Sequence, residues 1–450
     1  MTAFDDNIEF RNKNHCGLPP DVRVADILDA QADGPLGDYP CVKFHSGQDY
    51  TNVTFKEFRD IVYAAAQVFH KELQKHAEKT TQLMPVGYLS SSGNDYVFNM
   101  FSLLVLNVTP VVLSPKNSIG ILVHLLNASG ARVLIYKEEY REAAKSCAER
   151  IPGLEIVKSI QLNPALLQPK PIGFTPLVQV SPKDVQEHIF LIAHSSGSTS
   201  YPKLMRLSNR NGRNTFDRMQ QNTIAYSGTQ LLLAPLFHLY GIVSFMGFFF
   251  GGGLTAFPKA KAPMPRQILD DISKAGAVIL TCLPFQLKQL AEYCQADEAA
   301  WETLYKLKYL IFAEAMLSPE ICKLYTSKGI TLKSGYGALE VGTLASSSQV
   351  NPSCSILTLK RGIKYSLVNV EGDTAQLMIH HDDLSLATGV SPQNEGYLID
   401  DRLKILRHDI DQDILQFSVF GRVDNTIFLR LWREDKPCST GRKDDYISSN

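Results

Sequence analysis

HIFLIAHSSGSTSYPKLMRL, residues 188–207, is the stretch on which the reading of this chain turns. Its apolar run Ile189–Ala193 is too short for a helix and is bounded by turn residues, so it reads as a buried strand. The strand runs straight into Ser195, Ser196, Gly197, Ser198, Thr199 and Ser200, followed by Pro202 and Lys203. Hydroxyls, one glycine and a nearby lysine suit a polyphosphate: Gly lets the backbone approach an anion, turn amides and hydroxyls donate hydrogen bonds, and Lys supplies charge. Taken alone, the loop also fits a Ser-rich turn ahead of an amphipathic segment. It is not a Walker loop, since GxxxxGK[ST] is absent, and no GxSxG supports an α/β hydrolase.

Working outward, short apolar strands alternate with amphipathic helices, the pattern of an α/β protein. A helix is expected over Thr54–Leu73, with Thr54 and Glu57 as a capping box and Phe58, Ile61, Val62, Ala65, Val68 and Phe69 on its inward face. Strands are expected at Val86–Leu89, Val111–Leu113 and Val133–Tyr136, with a helix starting at Asn117 or Ser118. The Pro-rich segment Asn163–Pro182 closes this first block. A second block carries strands at Ile189–Ile192, Leu231–Ala234, Leu254–Phe257, Val278–Leu280 and Tyr309–Phe312, and a helix begins at Pro319. Beyond Cys354 short strands such as Leu377–Ile379 and Phe417–Phe420 replace helical periodicity. The expected organisation is an α/β subdomain over 1–180, a second over 181–353 with the phosphate loop, a small β subdomain over 354–420, and a hinge and stub over 421–450.

Composition is that of a globular chain: 450 residues, 44% hydrophobic, 20% charged. With 45 basic and 46 acidic residues it shows no charge bias toward nucleic acid or an anionic membrane. The most apolar run, Ile242–Phe257, contains four glycines and falls short of the ~20 residues of a spanning helix. Eight scattered cysteines without a CxxC pair read as reduced thiols rather than a zinc site, and the polar start MTAFDDNIEF is unlike a signal peptide. Together these point to a cytoplasmic protein.

HSSGSTSYPK, 194–203, resembles the signature loop of the adenylate-forming (AMP-binding) superfamily, which holds acyl-CoA synthetases, luciferases and peptide-synthetase adenylation domains. Further matches follow in that family's order: APLFHLYG (234–241), YLIFAEAMLSPE (309–320), SGYGALE (334–340), GYLIDDRLK (396–404) and FGRVDNTI (420–427). Residues 86–135 are similar to the adenylation part of fungal nonribosomal-peptide-synthetase-like carboxylate reductases, in which a carrier domain and an NADPH-dependent reductase follow. The implied fold is the large N-terminal domain of an acyl-adenylate synthetase, with two helix-flanked sheets and a small β subdomain.

The resemblance implies ATP and Mg²⁺ as cofactors and acyl-AMP formation from a carboxylic acid, with a carrier protein or CoA as acceptor. Ser195, Ser196, Gly197, Ser198, Thr199 and Lys203 would hold the β- and γ-phosphates, and Glu340 the Mg²⁺. Ala315, Gly335, Tyr336 and Gly337 would meet the adenine, Asp401 and Arg422 the ribose, and His238 the incoming carboxylate. Phe237, Thr281, Phe285 and Leu339 are the candidate acyl-pocket lining, mostly apolar as suits an aryl or aliphatic acid, with no acidic residue marking an ammonium site. Ser200, Glu314 and Leu339 replace a glycine, a glycine and a threonine of the family pattern. About 26 residues follow Asp424, where the family continues into a mobile domain with a catalytic lysine. Two functions are therefore weighed: an acid-activating enzyme, and a remnant that binds nucleotide or acid without turnover.

Overall fold

The computed structural model describes residues 22–46, 49–77, 83–161, 174–195, 201–220, 228–347, 354–390 and 396–423. Two sheets organise them. The smaller has six strands in the order Glu155–Lys158, Val133–Tyr136, Pro85–Leu89, Thr109–Leu113, Ile189–His194 and Leu204–Ser208. All its pairings are parallel except the last, an antiparallel hairpin in which His194 faces Leu204.

The larger sheet has thirteen strands. From Asp49–Thr54 and Pro40–Ser46 it passes through Leu254–Ala256, Thr229–Leu232, Ala277–Cys282 and Tyr309–Phe312 to Leu332–Ala338. Gly342–Ser347 then pairs antiparallel with Leu332–Ala338, and Leu357–Leu359, Ile414–Arg422, Gly396–Asp409, Thr374–His380 and Tyr365–Glu371 complete the edge. The change from parallel to antiparallel marks the passage from helix-flanked sheet to β subdomain. That subdomain's core includes Val341, Leu344 and Ala345, so it starts before residue 354.

The strand at Ile189 pairs with the first block's strands, through Val111 opposite Ile192, since an apolar run fixes a strand's burial and leaves its neighbour open. A further strand, Pro40–Ser46, whose mixed sequence PCVKFHS carries no clear apolar run, joins the other sheet beside Leu254–Ala256.

The helix Phe55–Ala77 begins as its capping box requires: Thr54 N donates to Glu57 Oε2 at 2.8 Å and Glu57 N to Thr54 Oγ1 at 3.2 Å. Val68 departs from the expected inward face and is 47% exposed, since it lies at the edge of the stripe. Ser118 caps the helix Ile119–Ser129 and Ser318 the helix Pro319–Ser327, each accepting from the amide three residues on. The apolar run from Ile242 is the helix Leu239–Phe250, buried on nearly every side. Phe245 and Phe249 interleave there with Phe55, Phe58, Phe98 and Phe101, at ring separations of 4.6 to 6.1 Å. Each buried ring contributes about 1.5–3 kcal/mol, so this helix is held as a rigid wall. No helix among the described residues is long and apolar enough to cross a membrane.

Cys322 and Cys354 form a disulfide, against the expectation of reduced thiols throughout. They lie 32 residues apart, and only the folding of the helix Pro319–Ser327 against the turn at 354 brings them together. Cys147, Cys282 and Cys294 are buried thiols, and the buried Cys41 Sγ donates to the Val53 carbonyl at 3.5 Å; Cys16 and Cys438 lie outside the described residues.

Candidate functional site

A cavity of about 430 Å³ opens between the helix Leu239–Phe250 and the C-terminal ends of the larger sheet's parallel strands. That is where ligands bind in open α/β sheets, and the volume lies within the roughly 300–1,000 Å³ of ligand sites. Of the expected site residues, Ser195, His238, Thr281, Gly335, Tyr336, Gly337 and Leu339 line it. Segments 140 residues apart in sequence thus meet in one space.

Ser195 begins the hydroxyl-rich turn. Its amide donates to the Lys203 carbonyl at 3.0 Å, and Lys203 N donates to Ser195 Oγ at 2.9 Å. These bonds close the mouth of the hairpin and leave the Lys203 side chain exposed. Ser196, Gly197, Ser198, Thr199 and Ser200 lie outside the described residues. The segment after Lys203 is the strand Leu204–Ser208, antiparallel to Ile189–His194.

The strand Leu332–Ala338 supplies the opposite wall. It pairs tightly with Gly342–Ser347; a Cβ on Gly337 would meet the Gly342 carbonyl oxygen at 2.3 Å, so only glycine fits. Tyr336 donates its hydroxyl to Asp401 Oδ2 at 2.7 Å, and its ring stands edge-on to Phe417. Burial, then Asp401, raises the phenol far above its usual range, while Arg422 opposes the shift. Asp401 and Arg422 face each other across the strands Gly396–Asp409 and Ile414–Arg422, and Arg422 Nη2 also reaches Asp400 at 3.5 Å. A carboxylate, a guanidinium and a phenol thus converge beside the cavity.

Glu340 lies just behind the cavity wall. The Tyr397 hydroxyl bonds to its carboxylate, and its carbonyl accepts from Ala387 N at 2.7 Å. Thr388 N in turn donates to the Arg206 carbonyl at 3.0 Å, on the strand that leaves the hydroxyl-rich turn. Through Ala387 and Thr388 the strand Leu204–Ser208 is thus tied to Glu340.

His238 precedes the helix Leu239–Phe250 and is half-buried. Burial, with help from the charges of His194 and Lys116, pulls its pKa down to about 4, so the imidazole is neutral at pH 7. It can exchange hydrogen bonds with a carboxylate but supplies no positive charge.

Three candidates fall away from the lining. Phe285 is 56% exposed, because the helix Pro284–Ala296 turns away from the cavity at its first residues. Phe237 is packed in the core beside the His238 ring, at 5.0 Å, and so supports that residue from behind. Ala315 is exposed one residue beyond the lining, which ends at Ala313 and Glu314.

Other lining residues were not singled out from sequence: His194, Tyr240, Ser244, Phe248 and Ile311. Tyr240, Ser244 and Phe248 recur every four residues on one face of their helix, a signal hidden because that helix is apolar all round. Glu314, the residue that replaces a glycine of the family pattern, is a carboxylate among the lining residues. Crowding by protein raises its pKa. Its φ is 73°, in the left-handed region that suits the glycine of the family pattern. Glu314→Gly should raise stability by about 1 kcal/mol by removing that strain. Thermal denaturation checks this, and a fall in stability would mean that the side chain makes favourable contacts in the cleft.

A model of the AMP-binding enzyme family matches residues 28–375. The chain belongs to the AMP-binding enzyme family. It is 25% identical to an atypical non-ribosomal peptide synthetase, ascB, of Acremonium egyptiacum, over 88% of this chain and 36% of that protein. It is 24% identical to the adenylate-forming reductase stbB of Stachybotrys bisbyi, over 94% of this chain and 39% of that one. The chain thus spans less than two fifths of the length of these relatives. Among solved structures, the fold is similar to the anthranilate CoA ligase AuaEII in complex with anthranoyl-AMP, at TM-score 0.72 and 18% identity over 91% of this chain and 78% of that one. It is likewise similar to ATP-bound MatB from Rhodopseudomonas palustris, at TM-score 0.71 and 14% identity over 89% and 79%. The α/β architecture of this AMP-binding enzyme family member is that of adenylate-forming enzymes.

Proposed function

We propose that the protein uses ATP to activate a carboxylic acid, aryl or aliphatic, as its acyl adenylate. The observation that carries this reading is the shared cavity: Ser195, at the start of the hydroxyl-rich turn, and Gly335–Leu339, leading into Glu340, line one space. In the reaction a substrate carboxylate oxygen bonds to the α-phosphorus, the bond from that phosphorus to the bridging oxygen breaks, and pyrophosphate leaves. Such transfer depends on positioning and charge neutralisation.

The residues fit the nucleotide. The Asp401 carboxylate and Arg422 would take ribose hydroxyls, Tyr336 would flank the adenine, and Ser195 to Thr199 with Lys203 would hold the terminal phosphates. Among the described residues no group of three or more His, Cys, Asp or Glu side chains is arranged to hold a metal. Glu340 would accordingly be one oxygen ligand of a Mg²⁺ bound chiefly by phosphate and water, as is usual for that ion. Bound there, the metal would neutralise charge on the leaving pyrophosphate. His238, neutral, would hydrogen-bond the attacking carboxylate. A carrier protein or CoA would receive the acyl group.

A second reading, a protein that binds nucleotide or acid without turnover, is favoured by one feature. Among the described residues lining the cavity there is no lysine or arginine, while Leu339 places an apolar side chain where the family pattern has a hydroxyl. ATP–pyrophosphate exchange with a panel of aryl and aliphatic acids separates the two. Exchange with any acid supports activation; ATP binding in a calorimeter without exchange supports the binding-only reading; no ATP binding rejects both.

A further inference from the structure

We infer that Lys333 anchors the far end of the acid, so that the preferred substrate carries a second anionic oxygen remote from the carboxylate that reacts. This deepens the proposed function and rests on the cavity being the acid's site.

Lys333 sits on the strand Leu332–Ala338 and is only 5% exposed. In the parallel register it lies beside Ile311, so the two side chains share a face, and Gly335, two residues on, shares it too. Ile311 and Gly335 both line the cavity. The Lys333 ammonium stands 5.9 Å from the centre of the Tyr309 ring. Tyr309 and Ile311 pack on Phe248 and Ile279, and Phe248 is a lining residue. The charge is thus placed behind the apolar floor formed by Phe248 and Ile311, on the same face of the sheet as the lining residues Ile311 and Gly335.

Among the described residues Lys333 has the Tyr309 ring for a partner and no carboxylate. A second lysine, Lys360, is 8% exposed and close enough for mutual repulsion, which adds to burial in pulling its own pKa down to about 8. Burial likewise lowers that of Lys333. Lysine is almost never buried unless paired, and an unpaired ammonium in a low-dielectric site is costly. Among the described lining residues the one carboxylate, Glu314, follows the C-terminal end of the strand Tyr309–Phe312, three residues beyond Ile311. An acid with an apolar middle and an anionic oxygen at its tip would pass Val243, Phe248 and Ile311 and complete this site.

The tip is either a second carboxylate or an acidic phenol, and the test has an arm for each. Calorimetric titration of the full chain would compare adipate with hexanoate, terephthalate with 4-methylbenzoate, and 4-hydroxybenzoate with 4-methylbenzoate. The polar-tipped acid should bind about tenfold or more tightly in at least one pair, the scale of one hydrogen bond to a charged group. Lys333→Met should erase or reverse that preference and Lys333→Arg should keep it. Equal or weaker binding of the polar-tipped acids in all pairs, or a preference that survives in Lys333→Met, overturns the inference. Because the readout is binding, a chain that selects such acids but exchanges no pyrophosphate keeps this inference and loses acid activation. A chain that exchanges pyrophosphate only with the apolar acids does the reverse.

Discussion

Arg218→Ala destabilises the protein by about 3–5 kcal/mol, the loss expected when one partner of a buried ion pair is removed. Arg218 and Asp383 are 4% and 1% exposed, and the guanidinium Nη2 lies 3.0 Å from both carboxylate oxygens. Arg218 Nη1 also donates to Ser385 Oγ at 2.5 Å, and Lys364 N donates to Asp383 Oδ2 at 2.9 Å. Without Arg218 a carboxylate remains buried with its charge uncompensated. Arg218 lies on the helix Asn209–Gln220, beside the lining residue Met219, while Asp383 opens the turn that reaches Ala387 and so the Glu340 carbonyl. The pair therefore ties one wall of the cavity to the backbone that positions Glu340.

The same pair sets a pH dependence. Burial alone would raise the pKa of Asp383, but the Ser385 hydroxyl, Arg218 and two backbone amides outweigh it and hold the carboxyl below its usual range. A carboxyl depressed in the folded state contributes stability above its unfolded pKa of about 3.9, and that contribution disappears as pH falls through the folded value. Urea denaturation at pH 7 and below pH 4 reads both effects. The wild type should lose this increment only in acid, and Asp383→Asn should lack it at both pH values. A loss below about 1 kcal/mol for Arg218→Ala at pH 7 would show that the charge pair is not the clasp described here.

What the sequence made legible was local. The capping box at Thr54, the cap at Ser318 and the strand Tyr309–Phe312 follow from residue types at fixed spacings, and the structure has each of them. The ordered motifs contain Ser195, His238, Tyr336 and Leu339, and all four line one cavity in the structure. What stayed hidden depends on contacts distant in sequence. Lys333 reads as an exposed strand lysine until its register beside Ile311 is known. Arg218 and Asp383 are 165 residues apart, and nothing in either neighbourhood announces the other. Phe285 shows the converse: an aromatic next to a cavity-lining strand was a reasonable pocket residue, but the helix that starts at Pro284 carries it outward.

Glu340→Ala should lower ATP–pyrophosphate exchange by roughly 10²- to 10³-fold, the scale seen when one preorganised group that stabilises transition-state charge is deleted. The residue is held at two places, its carboxylate by the Tyr397 hydroxyl and its backbone carbonyl by Ala387 N. A group so held need not reorganise when charge shifts from the α-phosphorus to the departing pyrophosphate, and that gives a metal ligand its leverage. Tyr397→Phe separates holding from ligation. Loss of its hydroxyl leaves the carboxylate in place with one hydrogen bond fewer, so exchange should fall by about tenfold, at an elevated Mg²⁺ requirement that added Mg²⁺ partly restores. Glu340→Ala should resist rescue by Mg²⁺ because the ligand itself is gone. If Glu340→Ala instead exchanges pyrophosphate like the wild type, or excess Mg²⁺ restores it fully, then Glu340 serves only to pin the segment 386–388, and the metal is held elsewhere.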